Sequence, residues 1–149
     1  MIIKVFMTMY RLTLETFSED LLNLPLNEKK HLIKQDKFLD IFINDENYMV
    51  RLSVAFREYG FEKLVHDKNW MVRALVARKG YGLKILVYDN CKTVRQLVAR
   101  KGYGLDLLIN DIDLDIRNAV LTYLESHEYN NIDTWIEENL DKWAKCELS

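Results

Sequence analysis

The sequence predicts an all-α protein, a short stack of tandem two-helix units with a capping segment at each end. Three observations predict it. The segments VRALVARKGYGLKILVYDNCKT, from Val72 to Thr93, and VRQLVARKGYGLDLLINDIDLD, from Val94 to Asp115, nearly coincide over 22 residues. Within each unit the apolar side chains recur at helical spacing. One proline and five glycines in 149 residues are too few for an all-β chain built on tight turns.

The repeat reaches beyond these two copies. VRLSVAFREYGFEKLVHDKNWM, from Val50 to Met71, follows the same plan, and Ile116 opens a further copy with IRNAVLTYL. Glu28 to Met49 keeps only the second half, with Leu39, Phe42, Ile43 and Asp45 in register. Self-similarity at a fixed period of this size marks a stacked-repeat architecture. The expected organisation is one domain. Residues 1–27 form an N-terminal cap, 28–49 a degenerate repeat, and 50–71, 72–93 and 94–115 full repeats. Residues 116–149 supply a last partial repeat and a C-terminal capping helix.

The elements of one unit follow from its spacing. Val72, Leu75 and Val76 lie at i, i+3 and i+4 and form one apolar stripe on a first helix. Ala55, Ala77 and Ala99 share one place, where a small side chain lets neighbouring helices approach. Gly80 and Gly102 end the first helix, because glycine readily takes the left-handed conformation there. A second stripe, Leu83, Leu86 and Val87, follows Gly82 and predicts a second helix of about two turns, with a 3₁₀ helix as the alternative. Neither helix is stable alone at such lengths, since nucleation costs more than so few hydrogen bonds return. Stacking supplies the missing burial.

At the ends, Ser18 followed by Glu19 and Asp20 predicts a helix start, with the helix ending before Pro25. Ile132, Trp135, Ile136, Leu140 and Trp143 fall on one helical face, with Glu137, Glu138, Asp141 and Lys142 mostly on the other. That is the pattern of a terminal amphipathic helix covering the last repeat.

An aspartate recurs six residues before an arginine: Asp45 and Arg51, Asp67 and Arg73, Asp89 and Arg95, Asp111 and Arg117. With this regularity the chain resembles the HEAT-like repeats, and more closely the leucine-rich-repeat-variant solenoids, whose units open with VRxxVA and end with LxxD. The GYGLDLL segment from Gly102 to Leu108 is similar to one found in bacterial HEAT-like proteins. The resemblance covers roughly Leu39 to Leu124 and departs from the variant family at the inter-helix turn, where RKGYG replaces a proline-containing sequence. It implies a right-handed α-solenoid in which the Asp and Arg link successive units in a hydrogen-bonded ladder.

Charge and cysteine usage bound the function. Residues 50–123 carry 13 basic and 8 acidic side chains, whereas residues 124–149 carry 2 basic and 7 acidic. This asymmetry points to an interaction surface. Cys91 and Cys146 lie far apart without CxxC spacing, which favours free thiols in a reducing cytoplasm over a disulfide or zinc framework. The apolar N-terminal run is broken by Lys4, Arg11 and Glu15, so it cannot supply the ~20 apolar residues of a spanning helix. No small-residue cleavage site follows it, which argues against a signal peptide.

Two sets of residues are candidates for function. Arg51, Arg73, Arg95 and Arg117 can be read as a phosphate-binding row, but an aspartate stands at the same offset from each, which favours a structural ladder with Asp45, Asp67, Asp89 and Asp111. The second set is the turn. Arg78, Lys79 and Tyr81 occupy the same places as Arg100, Lys101 and Tyr103, and Arg57 and Tyr59 fit two of these places one unit earlier. Stacking would bring equivalents about 10 Å apart, giving a basic stripe beside a tyrosine row. Such an edge suits an acidic protein surface, for which Tyr and Arg are favoured anchors. It also suits nucleic acid, through phosphate neutralisation and base stacking. The plainer alternative is tyrosines packed between repeats among solvated charges.

Catalysis has little support in the sequence. His31, His66 and His127 share no repeat place and no metal-ligand spacing, and no GxSxG or Walker-type loop is present. No cofactor, metal or small-molecule substrate is expected. HEAT-like solenoids include alkylpurine DNA glycosylases, and Trp70 with Asp67 could imitate such a site, though no motif matches residue by residue. The expected function is therefore a non-enzymatic cytoplasmic interaction module that binds a protein through the basic and tyrosine edge. Nucleic-acid binding by the same edge is the first alternative. An immunity or inhibitor protein using its acidic C-terminal tail is the second.

Overall fold

The 22-residue period of the sequence reappears as a 22-residue period of helices. A computed structural model of the protein describes residues 17–127, 132–136 and 138–139. Residues 17–22 are helical and form α1. Four nine-residue helices follow at one period: α2 (Leu26–Lys34), α4 (Tyr48–Phe56), α6 (Trp70–Arg78) and α8 (Lys92–Arg100). Between them lie four-residue helices, α3 (Leu39–Phe42), α5 (Phe61–Leu64), α7 (Leu83–Leu86) and α9 (Leu105–Leu108). The last, α10 (Leu114–Ser126), has 13 residues. Residues 132–136 and 138–139 are also helical, and no strand or 3₁₀ helix occurs among the described residues.

The chain forms two compact units, residues 1–60 and residues 61–149. In the first, α2 packs against α4, and α3 against both. In the second, α6 packs against α8 and α8 against α10, while α7 touches α6 and α8, and α9 touches α8 and α10. Within each unit, each long helix rests on the next one along the chain.

Burial follows the repeat closely. Val50, Val72, Val94 and Ile116 open the stripe and are fully buried, as are Val54, Val76, Val98 and Val120 one turn later. Ala55, Ala77 and Ala99 are sealed as well. From the short helices, Phe42, Leu64, Leu86 and Leu108 point inward. Each such side chain contributes roughly 1.5–3 kcal/mol of hydrophobic stabilisation.

The short helices are a single turn, not the two turns that the spacing predicts. Their length is set at both ends. On entry the chain passes twice through the left-handed region, at Gly80 (φ 84°) and Gly82 (φ 65°), and again at Gly102 (φ 73°) and Gly104 (φ 62°). Gly82 and Gly104 also give their neighbours room, since a Cβ at either would overlap Val65 or Val87. On exit an aspartate side chain turns the chain by accepting the amide two residues on. Asp67 takes the N–H of Asn69 and Asp89 that of Cys91, each at 2.8 Å, an Asx-turn. The next helix is then capped by Asn69, which accepts the Met71 N–H at 2.9 Å. In α10 the places that would hold these glycines are Leu124 and Ser126, and the helix runs through them.

The segment from residue 28, which shows only its second half in the sequence, builds both helices. Its turn has left-handed residues at Asp36 (φ 57°) and Phe38 (φ 56°), the same two places. At the N-terminal end, Phe17 is already helical, so Ser18 is not the helix start; Pro25, in extended conformation, instead precedes the first residue of α2. Lys4, Arg11, Glu15, Glu137, Leu140, Asp141, Lys142, Trp143 and Cys146 lie outside the described residues. In the C-terminal helical segment, Asn139 is buried and donates to the Trp135 carbonyl at 2.7 Å. Asn110, just after α9, reaches the Asn139 carbonyl at 3.5 Å.

Candidate functional site

Each ladder arginine whose contacts are fully described binds two aspartates through different atoms. Arg73 donates from Nη1 to the backbone carbonyl of Asp67 (2.7 Å), six residues earlier. Its Nε and Nη2 clasp the carboxylate of Asp89, sixteen residues later, at 2.6 and 2.9 Å. Arg95 repeats this with the Asp89 carbonyl (2.8 Å) and the Asp111 carboxylate (2.7 and 3.0 Å). The aspartate six places ahead thus contributes its carbonyl, and its carboxylate serves the preceding arginine. Arg51 and Arg117 make the same carbonyl bond, to Asp45 and Asp111. In the first unit Lys29 stands at the arginine's place, and its Nζ meets the Asp45 carboxylate at 2.5 Å, both side chains buried.

The electrostatics agree with this geometry. The Asp89 hydrogen bond raises the Arg73 pKa, and the Asp111 bond raises that of Arg95. Burial pushes the Asp111 carboxyl up. The Arg95 hydrogen bond, the Asp113 amide and the charges of Arg95 and Arg117 together outweigh it and hold Asp111 below its ordinary value. With both forks engaged at close range, Arg73 and Arg95 have little capacity left for a phosphate.

The turn residues present a different picture. Tyr59, Tyr81 and Tyr103 each follow a left-handed residue at the same place in the turn, and each is about two-fifths exposed: 41%, 38% and 38%. They are neither sealed in the core nor fully solvated. Tyr81 leans on Phe61, with ring centroids 5.5 Å apart. Partial burial, with the nearby Glu62 carboxylate, raises the Tyr81 pKa.

The cations of the turn all lie at the surface. Arg57 is held by Asp36 through a bidentate pair at 2.6 and 2.7 Å, and that hydrogen bond lowers the Asp36 pKa. Arg78, Lys79, Arg100 and Lys101 are exposed at the C-terminal ends of α6 and α8. Because those two helices pack together, the second unit carries two copies of the basic turn on adjacent helix ends. Arg57 and Tyr59 belong to the first unit.

Two further features were not singled out by sequence. A groove of about 420 Å³ runs between α8 and α10, and a second of about 620 Å³ lies between α7 and α9, beside Tyr88 and Leu107. Tyr88 is 74% exposed. The signal for the first groove was available, because Gln96 and Asn118 are polar carboxamides 22 residues apart where Ala74 stands one unit earlier.

Among the described residues no group of three His, Cys, Asp or Glu side chains is arranged to hold a metal ion. His31 bonds to Gln35 (2.8 Å), and His127 lies 2.9 Å from both Ser126 Oγ and the Tyr123 carbonyl. No helix of the described residues is long and apolar enough to cross a membrane. No protein-family model, no curated protein and no solved structure matches the chain.

Proposed function

We propose that the chain is a short right-handed α-solenoid that acts as a non-enzymatic interaction module in the cytoplasm. It holds a protein partner on the basic and tyrosine-bearing turns. One observation carries the reading. Adjacent, packed helices end in the same Arg-Lys-Gly-Tyr turn, and each tyrosine keeps about two-fifths of its surface open. Tyr and Arg are favoured interface anchors because they combine apolar area with a polar or charged tip. The turns that carry them are fixed by paired left-handed residues, so little ordering cost accompanies binding. Nearest-neighbour packing from α6 to α8 to α10, with Arg73 and Arg95 each bonded to an aspartate carbonyl of the preceding repeat, supports the solenoid form.

The test is capture of partners from a native lysate by the full chain, with and without nuclease. It is repeated with the double variant Arg78→Glu and Arg100→Glu, with thermal unfolding as the folding control. The expected result is a protein retained by the natural chain, insensitive to nuclease and lost from the variant. Capture abolished by nuclease, with affinity falling steeply against the logarithm of salt concentration, moves the reading to nucleic acid. Unchanged capture by the variant overturns the role of the turns.

A further inference from the structure

The groove between α8 and α10 is built differently from the turns. Gln96 stands on the α8 wall and Asn118 on the α10 wall, at one place in consecutive units. A carboxamide offers both donors and an acceptor. The Asn118 side chain forms no hydrogen bond among the described residues, and Gln96 makes only a long one, 3.4 Å, to the Asp115 carbonyl. An extended peptide presents free N–H and C=O groups along both edges, which is what two facing amides can bind. The α10 wall from Asp115 to Ser126 spans roughly 16 Å at the helical rise, the length of about five extended residues.

Charge selects the occupant. Asp115, toward one end, faces Lys92 at 3.6 Å, and Lys92 also holds Asp113 at 3.0 Å. Toward the other end is Arg100, exposed and without an ion pair among the described residues. The groove lining therefore carries one cation, Arg100, at one end and one carboxylate, Asp115, which shares Lys92 with Asp113, at the other. Beside Arg100 the Tyr123 and His127 rings stack at 3.9 Å with an 18° interplanar angle, giving a preorganised wall. A polyphosphate backbone needs a row of cations and would meet the Asp115 carboxylate, whereas a peptide needs only one acidic side chain over Arg100, with its neutral main chain along the carboxamides.

We propose that the α8–α10 groove binds an extended peptide segment of a protein partner. Its main chain is bracketed by Gln96 and Asn118, and one acidic side chain is seated on Arg100. This rests on the protein-binding reading and adds to it a groove that shares only Arg100 with the turns.

The test is fluorescence anisotropy on the full chain. The probes are a labelled degenerate octapeptide pool with a fixed central glutamate, the same pool with lysine, and a labelled dT oligonucleotide. The glutamate pool is expected to bind about tenfold tighter than the lysine pool. Arg100→Gln removes most of that preference, Asn118→Leu weakens binding about fivefold, and Lys84→Glu, on α7 outside the groove lining, leaves it unchanged. Should Asn118→Leu lower the unfolding midpoint, Asn118→Ala replaces it. Equal affinity for the two pools, indifference to the Asn118 change or preference for the oligonucleotide overturns the groove. So does no saturable binding up to about 1 mM peptide. If lysate capture through Arg78 and Arg100 persists in that case, the turn reading stands and only the groove fails.

Discussion

The turn at residues 36–38 and the turn at residues 80–82 trace the same backbone path with opposite chemistry. Both place two residues in the left-handed region, separated by one. In the second unit the residues are Gly80 and Gly82, which adopt it without steric penalty. In the first they are Asp36 and Phe38, for which it costs about 1–2 kcal/mol each. Side-chain bonds replace the missing glycines: Arg57 clasps Asp36 from both carboxylate oxygens, and Phe38 meets Phe17 ring edge to face at 5.6 Å. The rungs show the same substitution, with Lys29 to Asp45 in one unit and Arg73 to Asp89 in the other. The path of the repeat is thus set by packing of its long helices, and local sequence only alters its cost.

Breaking a rung tests this most severely. Arg95→Met leaves the Asp111 carboxylate and the Asp89 carbonyl without their partner in a mostly buried place. A loss of about 3 kcal/mol is expected by urea unfolding, and Lys29→Met should match it if the two rungs are equivalent. Next comes Gly102→Ala. At φ 73° its Cβ would overlap the Tyr123 ring, so about 2–3 kcal/mol is expected in the same assay. A third test is acidity. The folded-state pKa of Asp111 is depressed, so its stabilising share is complete above the unfolded carboxylate value, about 3.9. It is lost as pH falls through the lower folded value. The thermal midpoint should drop below pH ~4 and drop less steeply in Asp111→Asn. The smallest effect is Asp36→Gly, where relief of the left-handed residue offsets loss of an exposed ion pair. Little change in the urea midpoint is expected, and a clear loss would mean that the Arg57 clasp holds the turn.

Much of this fold is legible in the sequence because its period is legible. The valine stripe, the buried alanines and the glycine turns are local features that a 22-residue alignment exposes directly. The first half of the degenerate unit is hidden because it keeps the physical role while changing the residue. Lys29 is a cation sixteen residues before Asp45, the spacing of Arg73 to Asp89, yet it breaks the written motif. The division of labour at the aspartates is hidden for another reason: carbonyl and carboxylate of one residue cannot be told apart by spacing. The candidate site is less legible still. Whether Tyr81 is sealed or open depends on how Phe61 and the neighbouring turn meet it, and the Arg57 bond to Asp36 spans 21 residues, one short of the period.

The rung that joins Arg73 to Asp89 also bears on how such a chain can change length. Its reach is shorter than the 22-residue period, and the Asp89 carbonyl already serves Arg95. A duplicated copy of residues 72–93 inserted after Thr93 would therefore find at each border the donor and acceptor that stood there before. Growth by whole multiples of the period requires no new junction chemistry, while an insertion of any other length at that point would displace Arg95 from the Asp89 carbonyl.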